Sequence, residues 1–188
     1  MSTISVDRHD TFERNSVILV ILMAVISLIL GGMVKTAVSD QTRTVTQNGI
    51  TAQLPAGWLV QNGTGDLRIV ARNPQSLNTR YRVNLLDGDE LAAAAAQRNE
   101  NRARLDASYR VLEETPIVVN GRDGYKVSYA FVNAADEGMP SVIEGVDYYF
   151  AEGDEIIVVS FEAEKADFAA GFSQFQQFRK TVIYQAGG

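Results

Sequence analysis

Tyr125-Lys126-Val127-Ser128-Tyr129-Ala130-Phe131 sets large apolar or aromatic residues at every second position, with small or polar ones between them. A period of two is the mark of a strand with one face on a core. Gly121-Arg122-Asp123-Gly124 precedes it and reads as a hairpin turn. Before that turn, Tyr109 to Thr115 and Ile117 to Val119 bracket Pro116, which fits a bend or an edge strand, where a missing N–H costs nothing. Beyond it, Val142 to Phe150 and Glu155 to Glu162 are joined by the short turn Glu152-Gly153-Asp154. Ile156 to Val159 is apolar on both faces, so this strand is expected at the centre of the sheet, covered twice. The result is an antiparallel meander.

Three short strands are expected upstream: Ile50 to Leu54, Leu67 to Ala71 and Tyr81 to Leu86. Between these and the meander, five alanines run into an arginine-bearing stretch, and the pattern predicts a helix from Glu90 to Leu105 with Asp89 as its N-cap. Lys165 to Lys180 predicts a second helix, because Phe168, Phe172 and Phe175 fall at i, i+4 and i+7 on one face. Thr181 to Tyr184 reads as a closing strand. Helices covering an antiparallel sheet make an α+β domain.

A different signal stands near the start. Asn15 to Val34, NSVILVILMAVISLILGGMV, is uncharged, and at about 1.5 Å per residue it reaches about 30 Å, the hydrocarbon thickness of a bilayer. A core helix does not need Val, Ile and Leu all round its circumference. Ala37-Val38-Ser39 loosely resembles a cleavage site, but Lys35 lies before it and the run exceeds an ordinary signal peptide's apolar region. The expected organisation is a tail (1–15), a transmembrane helix (16–36), a polar linker (37–48) and an extracytoplasmic domain (49–188). Ala24, Ser27, Gly31 and Gly32 put small residues on one face of the span, where another helix can approach closely.

Composition narrows the chemistry. There is no cysteine, and the single histidine, His9, precedes the apolar run. Disulfides, thiol nucleophiles, Cys- or His-held metals and a Ser-His-Asp triad are therefore excluded for the domain. The net charge of −6 argues against a nucleic-acid partner. No cofactor is expected. Gly63-Thr64-Gly65 lacks the further glycine and the helix of a nucleotide loop and reads as a turn.

The domain resembles the PsbP family of extrinsic photosystem subunits and their bacterial relatives. The resemblance rests on the opening strand running into Leu54-Pro55-Ala56-Gly57-Trp58, the helix from Glu90, the hairpin through Gly121 to Tyr125, and the strand Ile156 to Phe161 before a Phe-lined helix. It implies a PsbP-like α/β/α sandwich, and a docking or assembly role beside a larger membrane complex rather than catalysis. An anchored chain departs from the soluble photosystem subunit, so the photosystem role itself does not carry over. A subunit of another energy-transducing complex suits it better.

Charge is unevenly spread. Residues 68–110 carry eight arginines against five acids, while residues 132–167 carry ten acids and one lysine. Arg68, Arg72, Arg80 and Arg82, on two neighbouring strands, are a candidate docking patch for acidic protein surfaces or lipid head groups. The acids, Asp147 and Glu162 among them, are expected in turns or facing solvent. The expected function is a non-catalytic, single-pass accessory subunit bound to the bilayer and to an integral membrane protein complex. The alternative is a tethered binding module with an apolar ligand pocket near Trp58 and Tyr125.

Overall fold

The computed structural model describes residues 17, 19–29, 41–76, 78–134 and 139–185. The chain divides into two compact units, 1–41 and 42–188. In the first, residues 17 and 19–29 form helix α1, and its apolar side chains are exposed. Ala24 and Ser27 lie on α1, three residues apart and so on one face. Gly31, Gly32, the tail and the remainder of the expected span lie outside the described residues. Among the described residues, no helix is long and apolar enough to cross a membrane.

The second unit holds two antiparallel sheets. The small sheet contains β1 (Thr42–Gln47), β2 (Ile50–Pro55) and β10 (Ile183–Tyr184), with β2 in the middle. The large sheet contains β3 (Leu59–Asn62), β4 (Leu67–Arg72), β5 (Arg80–Asp87), β6 (Arg110–Val119), β7 (Arg122–Asn133), β8 (Ser141–Glu152) and β9 (Glu155–Glu164), in the order β3-β4-β5-β9-β8-β7-β6. The helices are α2 (Leu91–Leu105) and α3 (Lys165–Thr181).

β9 is central, as its two-sided apolarity predicts, and its alternation sorts the domain into layers. Ile157, Val159, Phe161 and Ala163 face one side, where they pack with Trp58, Tyr81, Phe175 and Phe178 beneath α3 and the small sheet. Ile156 and Val158 face the other, with Ala95 of α2 and Tyr109, Val127, Tyr129 and Tyr149. The expected stripe on α3 is present and extends by a turn: Phe175 and Phe178 are buried, Phe168 and Phe172 partly so. Tyr81 sits at the hub, its ring 4.3 Å from Trp58 and 4.7 Å from Phe178. Aromatic contacts of this kind add to the burial term.

Three local expectations are corrected, and the choice at Pro116 is resolved. The stretch read as part of a linker forms β1, because Thr42, Thr44, Val45 and Thr46 favour extended backbone and pair along β2 from Thr42–Pro55 to Gln47–Ile50. Residues 37–40 lie outside the described residues. The hairpin turn after β6 is Asn120-Gly121, both at positive φ, and Arg122 already belongs to β7. Pro116, expected at a bend or on an edge strand, lies within β6, which is an edge strand. Finally, Glu90 and not Asp89 occupies the N-cap of α2, with no side-chain cap bond.

Candidate functional site

The residues with the most unusual environment lie between α2 and the sheet. One cross-strand row runs through all seven strands: Leu59, Arg72, Arg80, Glu162, Gly145, Tyr129 and Val111. Directly opposed residues share a face, so this row lies on the α2 side of the sheet. Its centre is polar and buried.

Two carboxylates anchor it. Glu162 is 3% exposed and takes a guanidinium from each of Arg80 and Arg82, the Arg82 contact at 3.0 Å. Asp147 is fully buried, with Arg102 at 2.7 Å and Arg98 at 3.4 Å. Tyr129 donates its hydroxyl to Glu162 at 2.9 Å, Tyr149 donates to Asp147 at 3.3 Å, and Arg102 stacks 4.3 Å from the centroid of the Tyr129 ring. Tyr109 donates to Asn99 of α2 at 2.7 Å, and Arg98 donates to Asn84 at 3.1 Å. The network thus bolts α2 to the middle of the sheet.

Burial by itself raises a carboxyl pKa. At Asp147 burial acts against Arg102 and Arg98, the arginines prevail, and the group is held below the usual carboxylate range. Glu162 is likewise lowered, burial being outweighed by Arg82 and Arg80. Burial pushes the tyrosines Tyr129 and Tyr149 upward, so both stay protonated. Arg102 is also raised, since Asp147 outweighs its burial. Both acids are therefore ionised and committed to arginines, and no carboxyl in the network is poised to exchange a proton near neutral pH.

A cleft of about 180 Å³ opens beside the network, lined by Arg80, Arg82, Arg102, Tyr109, Tyr129 and Glu162, with Leu105, Asp106 and Phe131 completing it. On the rim, Asp106 accepts from the Ser108 backbone N–H and hydroxyl at 2.8 and 2.6 Å. Among the described residues, no group of three or more His, Asp or Glu side chains is gathered to hold a metal.

Of the four arginines singled out in the sequence, three share a face: Arg72, Arg80 and Arg82. Arg68 does not join them, because the register shifts between Leu67 and Ile69 and leaves it at a bulge, where its carbonyl accepts from the Asn48 side chain. Arg80 and Arg82 are spent partly on Glu162 rather than free at the surface. The expectation that Asp147 and Glu162 face solvent is overturned. A signal for Glu162 existed: a strand covered twice at Ile156 to Val159 continues through Ser160 and Glu162 on the α2 side. The expected apolar pocket is corrected as well. Trp58 packs under α3 and Tyr125 belongs to the opposite face, so the two cannot line one cavity. The space between the sheet and the end of α3 is about 100 Å³, bounded by Phe150, Ile157, Val159 and Val182 with Arg179.

The same end of the sheet carries several exposed apolar side chains. Leu59 and Val111 end the row, and Leu105 closes α2 at 90% exposure. Leu112 and Met139 are exposed, and Val132 pairs directly with an equally exposed Val142. The Arg43 guanidinium in β1 donates to the carbonyl of Trp58, next to Leu59, at 2.9 Å. The chain therefore enters the domain at this end.

This α+β architecture with antiparallel sheets matches the PsbP-like fold, as the sequence resemblance implies. Among solved structures the chain is similar to cyanobacterial PsbP (CyanoP) from Synechocystis, at 11% identity and a TM-score of 0.59, over 77% of this chain and 92% of that one. It is also similar to the Ran-binding protein Mog1p of Saccharomyces cerevisiae, at 16% identity and a TM-score of 0.52, over 77% of this chain and 95% of that one. At such identities the likeness concerns the fold. No protein-family model matches the chain, and no curated protein matches it in sequence.

Proposed function

We propose that this chain is a non-catalytic, single-pass accessory subunit, tethered by the apolar run within 16–36, whose extracytoplasmic domain docks on an integral membrane protein complex. The observation that carries the reading is the coincidence of two features at one end of the sheet. The chain enters there, with Arg43 bonded beside Leu59, and Leu59, Leu105, Leu112 and Met139 are exposed there. Exposed apolar side chains concentrated at one end of a domain mark a candidate interaction site. A tether that confines such a surface near the membrane raises its effective concentration, so a modest interface is enough.

The interior supports a structural role. The buried acids are ionised and held by arginines, which suits a rigid docking body better than proton transfer. The small volume between the sheet and α3 speaks against the alternative, a module for a bulky apolar ligand.

Purification in mild detergent at native expression tests the proposal. Recovery of one integral membrane complex in fixed stoichiometry is expected, and Leu105→Glu should release it. Recovery of the chain only as a monomer contradicts the proposal.

A further inference from the structure

We propose that the cleft beside α2 binds a small phosphate-bearing anion. Three observations point there. The first is charge. Arg80, Arg82 and Arg102 line the cleft on the α2 side of the sheet, with Arg72 opposite Arg80 and Arg98 one helical turn from Arg102. The acids on that face are the buried Asp147 and Glu162, with Glu164 held by Asn78 and Glu114 held by Asn99. The rim carboxylate Asp106 is held by Ser108 and faces its own cation, Arg110. Arg72 and Arg80 are direct cross-strand partners; Glu162 on the other side of Arg80 neutralises that residue, while Arg72 has no ion-pair partner among the described residues. In a chain of net charge −6, this surplus is a local construction and not the general character of the surface.

The second is unused bonding capacity. A guanidinium has five N–H donors. Arg80 uses Nε and Arg82 one terminal nitrogen on Glu162, and among the described residues no acceptor bonds the others. The third is exposure and shape. The Arg80 and Arg82 side chains are 27% and 24% exposed, half-sheltered in a cleft of about 180 Å³. That is open enough to admit an ion and dry enough to strengthen its attraction.

A phosphate group fits all three. It brings close to two negative charges and several acceptor oxygens, and the guanidinium fork matches its geometry bidentately. Arg80 and Arg82 would grip it from the sheet, Arg102 from the helix, and Arg72 would attract it from the rim. Tyr109, Phe131 and Leu105 leave an apolar wall for a small organic substituent. Because the ligand would bridge β4, β5 and α2, its binding would stiffen the end of the domain that carries the exposed leucines.

The test uses the full chain in detergent, titrated by calorimetry with inorganic phosphate and with phenyl phosphate, and by sedimentation with phosphatidic acid vesicles against phosphatidylcholine vesicles. Saturable binding that weakens with salt is expected, with a loss of about tenfold or more in Arg82→Gln. Arg82→Gln leaves Glu162 short of a partner, so Arg72→Gln is the cleaner variant: it breaks no ion pair among the described residues and should weaken binding several-fold with the melting curve unchanged. Arg122→Gln, whose guanidinium pairs with Glu152 at the far end of the sheet, should bind as the parent does. Soluble phosphate that competes identifies a free ligand; vesicle binding that soluble phosphate leaves unaffected, yet is lost in Arg72→Gln, identifies a lipid headgroup. Absence of binding to every probe at millimolar concentration, or binding that Arg72→Gln and Arg82→Gln leave intact, overturns the site.

Discussion

Tyr129 occupies the space that a side chain at Gly145 would take. The two residues are directly opposed on β7 and β8, and a Cβ at Gly145 would fall within the Tyr129 ring's van der Waals envelope. The ring lies flat across the glycine and so carries its hydroxyl to Glu162. Gly145→Ala should therefore cost about 1–3 kcal/mol by urea unfolding. The same change should cost far less in a Tyr129→Ala background, where the clash is gone, and that non-additivity is the signature of direct contact.

Asp147 lies fully buried between Arg102 and Arg98. Asp147→Ala strands two half-buried guanidiniums and should destabilise by about 3–5 kcal/mol. Arg104→Ala removes only the exposed pair with Glu100 and should shift stability by no more than about 0.5 kcal/mol. Similar losses in both variants would show that the buried network contributes nothing special.

The pH dependence has a definite sign. Asp147 and Glu162 titrate below their ordinary values of 3.8 and 4.5, so their contribution is complete above those values and is lost as pH falls through the lower, folded ones. Tyr129 and Tyr149 titrate above 10.0, so the folded state holds protons that the unfolded state releases, and stability falls as pH rises past about 10. Thermal melts across pH should show a plateau around neutrality with a decline at both ends. Asp147→Asn should flatten the acid limb.

Gly49 tests the small sheet. It sits at φ +79° in the turn joining β1 to β2, and its carbonyl accepts the Gln185 N–H at 2.8 Å. A Cβ there would meet the Gln185 carbonyl at 3.2 Å. Gly49→Ala should destabilise by about 1 kcal/mol or more, from left-handed backbone and crowding together. Hydrogen exchange should rise first in β1 and β10.

The architecture was legible because its strongest elements are periodic: the β7 alternation, the two-sided apolarity of β9 and the Phe168 to Phe178 stripe each identify a face. β1 was obscured by its polarity, although Asn48-Gly49 is the same turn dipeptide as Asn120-Gly121 and announces a hairpin just as clearly. The buried network was harder to read. A carboxylate on a strand looks solvated until its partners on other elements are known, and Arg102 and Arg98 of α2 and Tyr129 of β7 lie between 18 and 49 residues from Asp147 in sequence. Pairing over such separations is a property of the folded chain, and nothing local to Asp147 signals it. The arginine excess at 68–110 was visible, but its division between Glu162, Asp147 and the open cleft was not.

The central claim is that the end of the domain bearing Leu105 is covered in the membrane. The chain has no cysteine, so single replacements report without background. Labelling of Leu105→Cys and Asp154→Cys with a membrane-impermeant maleimide, in native membranes and again after harsh detergent, compares that end with the exposed β8–β9 turn at the opposite end of the sheet. The account predicts that position 105 is protected in membranes and labels fully once the complex is dispersed, while position 154 labels in both states. Equal, rapid labelling of both positions in intact membranes would contradict it.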